Sequence, residues 1–248
     1  MAGASTREEK AKEPKAFLRW IGGKRLLVHR LIEFLPTDVR TRKYHEPFAG
    51  AASLFFSISP QEAVLSDLNR HLIESYRHVQ ANPYRVSQYL REHKRRDNES
   101  YYYTIRDLYN RSGFGPAQAA RFIYLNHACF NGIFRVNRQG AFNVPYGNKR
   151  NAQIPSTSHL LQVSTVLNHA ELRVASFEDS LNVVTAGDFV YLDPPYPPLN
   201  GTSFFTHYTA DRFSEDDQRR VADSVKNLDR KGAFFLLTNA DLPYIRKL

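Results

Sequence analysis

Apolar positions along this chain switch repeatedly between helical spacing and strand spacing. Leu27, Leu31 and Phe34 recur at helical intervals, and Pro36 closes that helix. Tyr44–Phe48 reads as a short strand running into a turn of small residues, Ala49-Gly50-Ala51-Ala52-Ser53, followed by a helix to about Ile58. Glu62–Ser66 is a second strand ending at Asp67, and residues 69–80 return to helical spacing. From about 83 to 129 the pattern is helical, broken at Gly113-Phe114-Gly115-Pro116. Residues 130–147 carry Asn-Gly, Arg-Gln-Gly and Pro-Tyr-Gly around short β-prone pieces, which predicts a hairpin or an ordered loop with polar tips.

After Pro155 the alternation of helix and strand resumes. Residues 156–168 are helical in pattern, Glu171–Ala175 strand-like, and Asp188–Leu192 a buried strand ending at Asp193. Ser214 is placed to cap a helix with Val221, Val225 and Leu228 on one face and Gly232 just past its end. Ala233–Thr238 is a further apolar strand. Such alternation predicts an α/β fold, a mainly parallel sheet with helices on both faces. The stretch that interrupts it reads as an insertion.

Composition narrows the class. In 248 residues, 42% are hydrophobic and 24% charged, which excludes a disordered chain or a disulfide-stapled miniprotein. The single cysteine, Cys129, excludes an internal disulfide and a multi-cysteine zinc site. No apolar run approaches the roughly 18 residues of a spanning helix. The polar N-terminus, MAGASTREEKAKEPK, has no secretory apolar region and predicts a flexible tail over residues 1–15. A reducing, cytoplasmic setting is expected.

The net charge of +9 is localised. Residues 76–150 hold 13 Lys/Arg against 4 Asp/Glu, and the remainder is balanced. The same segment is rich in aromatics, including Tyr101, Tyr102, Tyr103, Tyr109, Phe114, Phe122, Tyr124, Phe130, Phe134, Phe142 and Tyr146. Basic groups neutralise phosphates and aromatic faces stack on unpaired bases. A solvated helical insert whose aromatics are core fits the composition equally well.

Ligands of open parallel sheets bind beyond the carboxyl ends of the strands, and three such ends carry informative residues. Glu46-Pro47-Phe48-Ala49-Gly50-Ala51-Ala52-Ser53 allows close backbone approach to a ligand, although tight helix packing would explain the small residues too. Asp67 can accept both hydroxyls of a ribose or cap the next helix. Asp193-Pro194-Pro195-Tyr196 fixes a loop in which the Asp193 carboxylate and the Pro194 carbonyl can converge beside an aromatic face. Acceptors beside an aromatic plane suit the exocyclic amino group of a base, whose nitrogen becomes nucleophilic when both N–H groups are held.

These residues together resemble the DNA adenine-N6 methyltransferases of the Dam type, which use S-adenosylmethionine, and the resemblance runs from Phe17 to Leu248. It implies a Rossmann-like doubly wound, mostly parallel class I methyltransferase core over residues 16–75 and 155–248. A helical plus β-hairpin DNA-recognition insert would fill 76–154. Phe17–Lys24 is similar to the family's N-terminal motif, implying cofactor contacts from Lys24 and its neighbour Trp20. Glu46–Gly50 and the small residues after it resemble the cofactor loop. Asp67-Leu68-Asn69 resembles the ribose-binding acidic motif, and Phe177 matches the position beside the cofactor adenine. Asp193-Pro194-Pro195-Tyr196 resembles the catalytic motif, with Asp193 also bordering the cofactor.

Residues 131–137 and 142–147 are similar to the DNA-reading hairpin. The resemblance makes Arg135 the candidate for a bidentate guanine contact, a pairing that gives about 1–3 kcal/mol of discrimination. It places Asn131 and Ile133 at the probing end, with Asn137 and Pro145 in the same element, and Arg19 where relatives reading GATC contact DNA. Arg95, Arg96 and Arg111 are the candidates for phosphate contacts.

The implied activity is methyl transfer to N6 of a flipped-out adenine in duplex DNA, at a GATC-like site and without a metal. Implied partners are double-stranded DNA and a cognate restriction endonuclease, the chain acting as a monomer or as a dimer on DNA. The implied setting is bacterial, archaeal or phage-encoded, at the nucleoid. Cytosine N4, RNA adenine and a protein amide stay open as acceptors, as does a DNA-binding module without catalysis. Two departures from the pattern stand out. Ala51-Ala52 replaces glycine found in many relatives, and relatives generally continue past the position of Leu248 with a final pair of strands, so the sequence reads as either truncated or trimmed at that end.

Overall fold

The computed structural model describes residues 13–148, 153–197 and 213–248. Five strands, β1 (Lys43–Glu46), β2 (Glu62–Asp67), β3 (Ala170–Val174), β4 (Phe189–Leu192) and β5 (Phe234–Leu237), form one sheet in the order β3-β2-β1-β4-β5. Every pairing is parallel. The order reverses at β1, between β2 on one side and β4 on the other. The crevice beyond the carboxyl ends of β1 and β4 is therefore the switch point where such sheets bind ligands.

Period-two alternation along β4 explains how both faces are covered. Phe189 and Tyr191 enter the larger apolar cluster with Tyr44, Leu65 and Leu172, whereas Val190 and Leu192 enter a smaller one. The smaller cluster is built with Phe177 and Leu181 of α8 (Phe177–Leu181) and Val221 and Leu228 of α9 (Glu215–Lys231). Ser214 caps α9 with a full capping box to Asp217, and Gly232 ends it in the left-handed conformation at φ 76°.

The first helix departs from its sequence pattern. α1 is only Val28–Ile32, burying Val28 and Leu31, while Leu27 and Phe34 are exposed. Short α2 (Ser53–Ile58) follows the small-residue turn, and α3 (Arg70–Ala81) follows β2. The segment read as helical resolves into α4 (Pro83–Arg96), α5 (Glu99–Arg111) and α6 (Pro116–Ala128), with α7 (Thr157–Leu167) leading back to β3.

α3 runs unbroken through residue 76, so the path into the basic segment begins inside a helix of the sheet layer. One apolar cluster embraces both regions: Tyr102, Tyr109, Phe122, Tyr124, Phe134 and Phe142 are buried in it, with Tyr101, Tyr103 and Tyr146 packed against it. Those rings are core, and of the aromatics singled out for base stacking only Phe114 and Phe130 are substantially exposed. Residues 130–147 form a compact loop pinned by two antiparallel bridges, Cys129 with Tyr146 and Val136 with Phe142. The expected tail of residues 1–15 lies outside the described residues up to residue 12. Glu13 accepts from Ser59 Oγ at 2.6 Å and the Lys15 carbonyl bonds to His159 at 2.7 Å, so both are tied to the body.

Candidate active site

Three carboxyl groups stand at the ends of neighbouring strands: Glu46 on β1, Asp67 on β2 and Asp193 just beyond β4. Asp67 and Asp193 follow buried apolar runs, residues 63–65 and Phe189–Leu192, whereas Glu46 ends a strand that already carries Lys43 and His45. Desolvation then raises the proton affinity of all three. Glu46 is pushed up to about 8 by burial, against a hydrogen bond from Tyr44 Oη at 2.8 Å. Burial raises Asp67 and Asp193 as well, offset at Asp67 by two backbone N–H groups and at Asp193 mainly by Lys24.

Asp67 links the first two loops. Its Oδ2 accepts the Gly50 N–H at 3.1 Å and its Oδ1 the Asn69 N–H at 2.8 Å. The helix cap itself is Asn69, whose side chain accepts from Leu72 N, so capping is not the duty of Asp67. Gly50 lies at φ +46°, and a Cβ there would meet Trp20 Cδ1 at 2.8 Å; only glycine lets the indole lie against this turn. Ala52 is held at φ 50° in the left-handed region without being glycine. Pro47, Ala49, Ala51, Ala52 and Ser53 are all buried. On the far side, Phe48 stacks on Phe177 with centroids 5.2 Å apart.

Asp193 is enclosed by donors. Lys24 Nζ lies 2.6 and 2.7 Å from its two oxygens, and Thr238 Oγ1, at the end of β5, donates to Oδ1 at 2.6 Å. Lys24 also donates to the Gly22 carbonyl at 2.8 Å and sits 4.5 Å from the centre of the Tyr196 ring. The Pro195 carbonyl accepts Gln218 Nε2 at 3.0 Å, and Asn239 Nδ2 holds Gln218 Oε1 at 2.9 Å. Pro194 is buried between them. A rigid loop thus presents one carboxylate and one aromatic face together.

The N-terminal motif is stapled to the helical segment. Asn126 of α6 accepts from Arg19 N at 2.8 Å and donates to the Arg19 carbonyl at 2.7 Å, while Trp20 stacks on Phe134 at 5.9 Å. The Arg19 side chain lies on the turn at Gly132, where an added Cβ would meet it at 2.9 Å.

The DNA-contact candidates divide by place. Arg135 is exposed, with its Nε held by Asn143 Oδ1 at 2.8 Å. Asn131, at φ 53°, is exposed beside it, and Ile133 is half-buried against the core. Asn137 is occupied locally: its Oδ1 accepts the N–H groups of Gln139 and Ala141, both at 3.0 Å. Exposed Pro145 uses its carbonyl to accept Phe130 N at 2.9 Å. Arg95 and Arg96 end α4 beside Glu92, and Arg111 ends α5 next to Asn110, which clamps Phe142 at the loop.

Four residues with evident duties were not singled out in the sequence: Thr238, Gln218, Asn126 and Asn143. Thr238 had a signal, since it is the first polar residue after an apolar strand, as Asp193 is. The other three act across 8 to 107 positions, and nothing in their local pattern marks them.

Comparison with known proteins follows the same lines. A family model described as D12 class N6 adenine-specific DNA methyltransferase matches residues 20–248. The type II methyltransferase M1.LlaDCHI of Lactococcus lactis is 38% identical over 241 residues, covering 94% of this chain and 84% of the relative. M.MjaIII, a type II methyltransferase of Methanocaldococcus jannaschii, is 38% identical over 248 residues, covering 92% and 85%. A protein named DNA adenine methylase from Vibrio cholerae is 32% identical over 243 residues, covering 96% and 85%.

Proposed function

The chain belongs to the D12 class of N6 adenine-specific DNA methyltransferases, and on that footing we propose how its own residues divide the work. It is an adenine-specific DNA methyltransferase on an α/β sheet. S-adenosylmethionine is the cofactor we assign, and when bound it supplies an electrophilic methyl group on a cationic sulfur. The donor set fits it. Asp67 is a half-buried carboxylate able to accept ribose hydroxyls, the Gly50 turn leaves no side chain in the way, and Phe48 and Phe177 form an aromatic wall. Trp20, Pro47 and the small residues Ala49–Ser53 complete that half of the crevice.

Asp193, Pro194, Pro195 and Tyr196 receive the target adenine. The Asp193 carboxylate and the Pro194 carbonyl accept the N6 N–H groups, and Tyr196 stacks on the base. One observation carries this assignment. The Asp193 carboxylate is fixed by Lys24 Nζ at 2.6 and 2.7 Å and by Thr238 Oγ1 at 2.6 Å, with the Tyr196 ring beside the same ammonium, so an oriented acceptor and an aromatic face stand together. Positioning and a pre-oriented acceptor do most of the work. The amino proton leaves after the nitrogen has been alkylated, so Asp193 need not act as a strong base.

The segment 76–154, entered through the second half of α3, is the DNA-recognition part. Extrusion of the adenine from a duplex costs a few kcal/mol, and phosphate contacts from Arg95, Arg96 and Arg111 support it without reading sequence. Arg135, held at Nε by Asn143, keeps its outer guanidinium edge for guanine, with Asn131, Ile133, Asn137 and Pro145 framing it. With Arg19 this favours a GATC-like site. The test is digestion of duplex DNA treated with protein and labelled cofactor, followed by mass spectrometry of the nucleosides. N6-methyladenine within GATC-like sequences is the expected product; label in cytosine or in no nucleoside overturns the assignment.

A further inference from the structure

Away from the crevice, a groove of about 680 Å³ runs between the N-terminal motif and the segment leading into α7. Lys15, Arg19, Arg25, His127 and His159 supply its titratable lining, and among the described residues no Asp or Glu lines it. Some basic side chains elsewhere are paired, as Arg77 is with Glu74, Arg173 with Glu171 and Arg219 with Asp216. Among the described residues no carboxylate lies within ion-pair distance of Lys15, Arg19 or Arg25. The floor is apolar, made by Ala16, Phe17, Ile154 and Pro155. The walls are fixed by hydrogen bonds from His127 to the Phe17 carbonyl, at 2.8 Å, and from His159 to the Lys15 carbonyl.

The groove is not an isolated patch. At one end Arg19 lies on the Gly132 turn, three residues before Arg135. At the other, Arg91 of α4 donates to Thr157 Oγ1 at 3.1 Å, and Arg95 follows one turn later on the same helix. Basic side chains therefore stand at both ends of the groove, Arg19 by the base-reading loop and Arg91 on α4. Unpaired cations over an apolar floor match a sugar-phosphate strand, whose charges alternate with apolar sugar faces.

Resting on the DNA-binding function above, we propose that this groove holds the duplex backbone flanking the methylated site, on the Arg19 side. The chain then grips more DNA than it reads. Lys15 and Arg25 contribute affinity that grows with the length of one flank and carries no sequence information.

Fluorescence anisotropy tests this with duplexes holding one methylation site and flanks extended stepwise on one side or the other. For the unmodified chain, lengthening one flank strengthens binding about tenfold to a plateau, and lengthening the other gains little. In the Lys15→Gln, Arg25→Gln double variant that one-sided gain disappears, and the slope of log K against log salt falls by about 2. Lys15→Arg with Arg25→Lys retains the gain. A double variant that keeps the full gain and slope overturns the proposal. Methylation of the shortest duplex is scored separately, so a groove that holds no DNA and a chain that methylates no adenine give different results.

Discussion

Lys24 and Asp193, separated by 169 positions in the sequence, meet with the ammonium 2.6 Å from one carboxylate oxygen and 2.7 Å from the other. The contact ties the N-terminal motif to the loop after β4, and it places the strongest local counter-charge on the group that burial pushes towards protonation. The Lys24 ammonium faces Asp193 and the Tyr196 ring. Removing it should raise the proton affinity of Asp193 further. In Lys24→Met the acid limb of the pH profile of kcat/KM moves up by about one unit, with turnover reduced at neutral pH. Profiles that superimpose would remove Lys24 from this role.

Thr238 holds Asp193 from the opposite side, at 2.6 Å. Thr238→Val keeps the shape and deletes the donor. A hydrogen bond to a charged group contributes about 1.5–3 kcal/mol, so kcat should fall roughly 10- to 100-fold, with cofactor affinity little changed. Thr238→Ser restores most of the rate, as single-turnover kinetics will show.

Arg135 and the α4 and α5 arginines should fail differently. Arg135→Ala relaxes sequence preference by about 1–3 kcal/mol at one base pair. Asn143→Ala relaxes it less, because the guanidinium survives but loses its anchor at Nε. Arg95→Gln, Arg96→Gln or Arg111→Gln weakens binding to all sequences alike and flattens its salt dependence. Binding to matched and mismatched duplexes over a salt series separates the two classes.

Much of this site is written in local pattern. Asp67 and Asp193 are each the first acidic group after an apolar run, and the small-residue turn and the proline pair announce loops that cannot be regular structure. Ser214 and Gly232 mark both ends of α9 in the same way. What was hidden is long-range. Asn126 reads as one of several polar residues in α6, and only the fold brings Arg19 to it. The aromatics were ambiguous because burial and base stacking call for the same side chains, and the fold buries most of them. Leu27 and Phe34 kept helical spacing but lie outside a helix too short to use it.

Stability should respond to pH on both sides of neutrality. His93, buried against Tyr101 and Tyr124, is lowered by burial from 6.5 to about 4, and His45, beside Asp188, is lowered for the same reason. Unfolded chains take up these protons below about pH 6.5 while the fold resists them, so stability falls as pH drops through that window. His93 alone accounts for roughly 3 kcal/mol by pH 4. Glu46 acts in the opposite sense: its carboxyl ionises near 4.5 when unfolded and near 8 when folded, so stability falls as pH rises between the two. Thermal melts of Glu46→Gln should gain on the unmodified chain from pH 5 to pH 8, and a constant difference would count against a protonated Glu46.

The central claim, that Asp193 holds the adenine amino group for methyl transfer, is tested most directly by Asp193→Ala. Methyl transfer to duplex DNA is measured in single turnover, beside calorimetric titration with S-adenosylmethionine. The expected result is loss of labelled N6-methyladenine by several orders of magnitude, with cofactor affinity within a few-fold of the unmodified chain. A variant that binds cofactor and still methylates adenine at a comparable rate would contradict it.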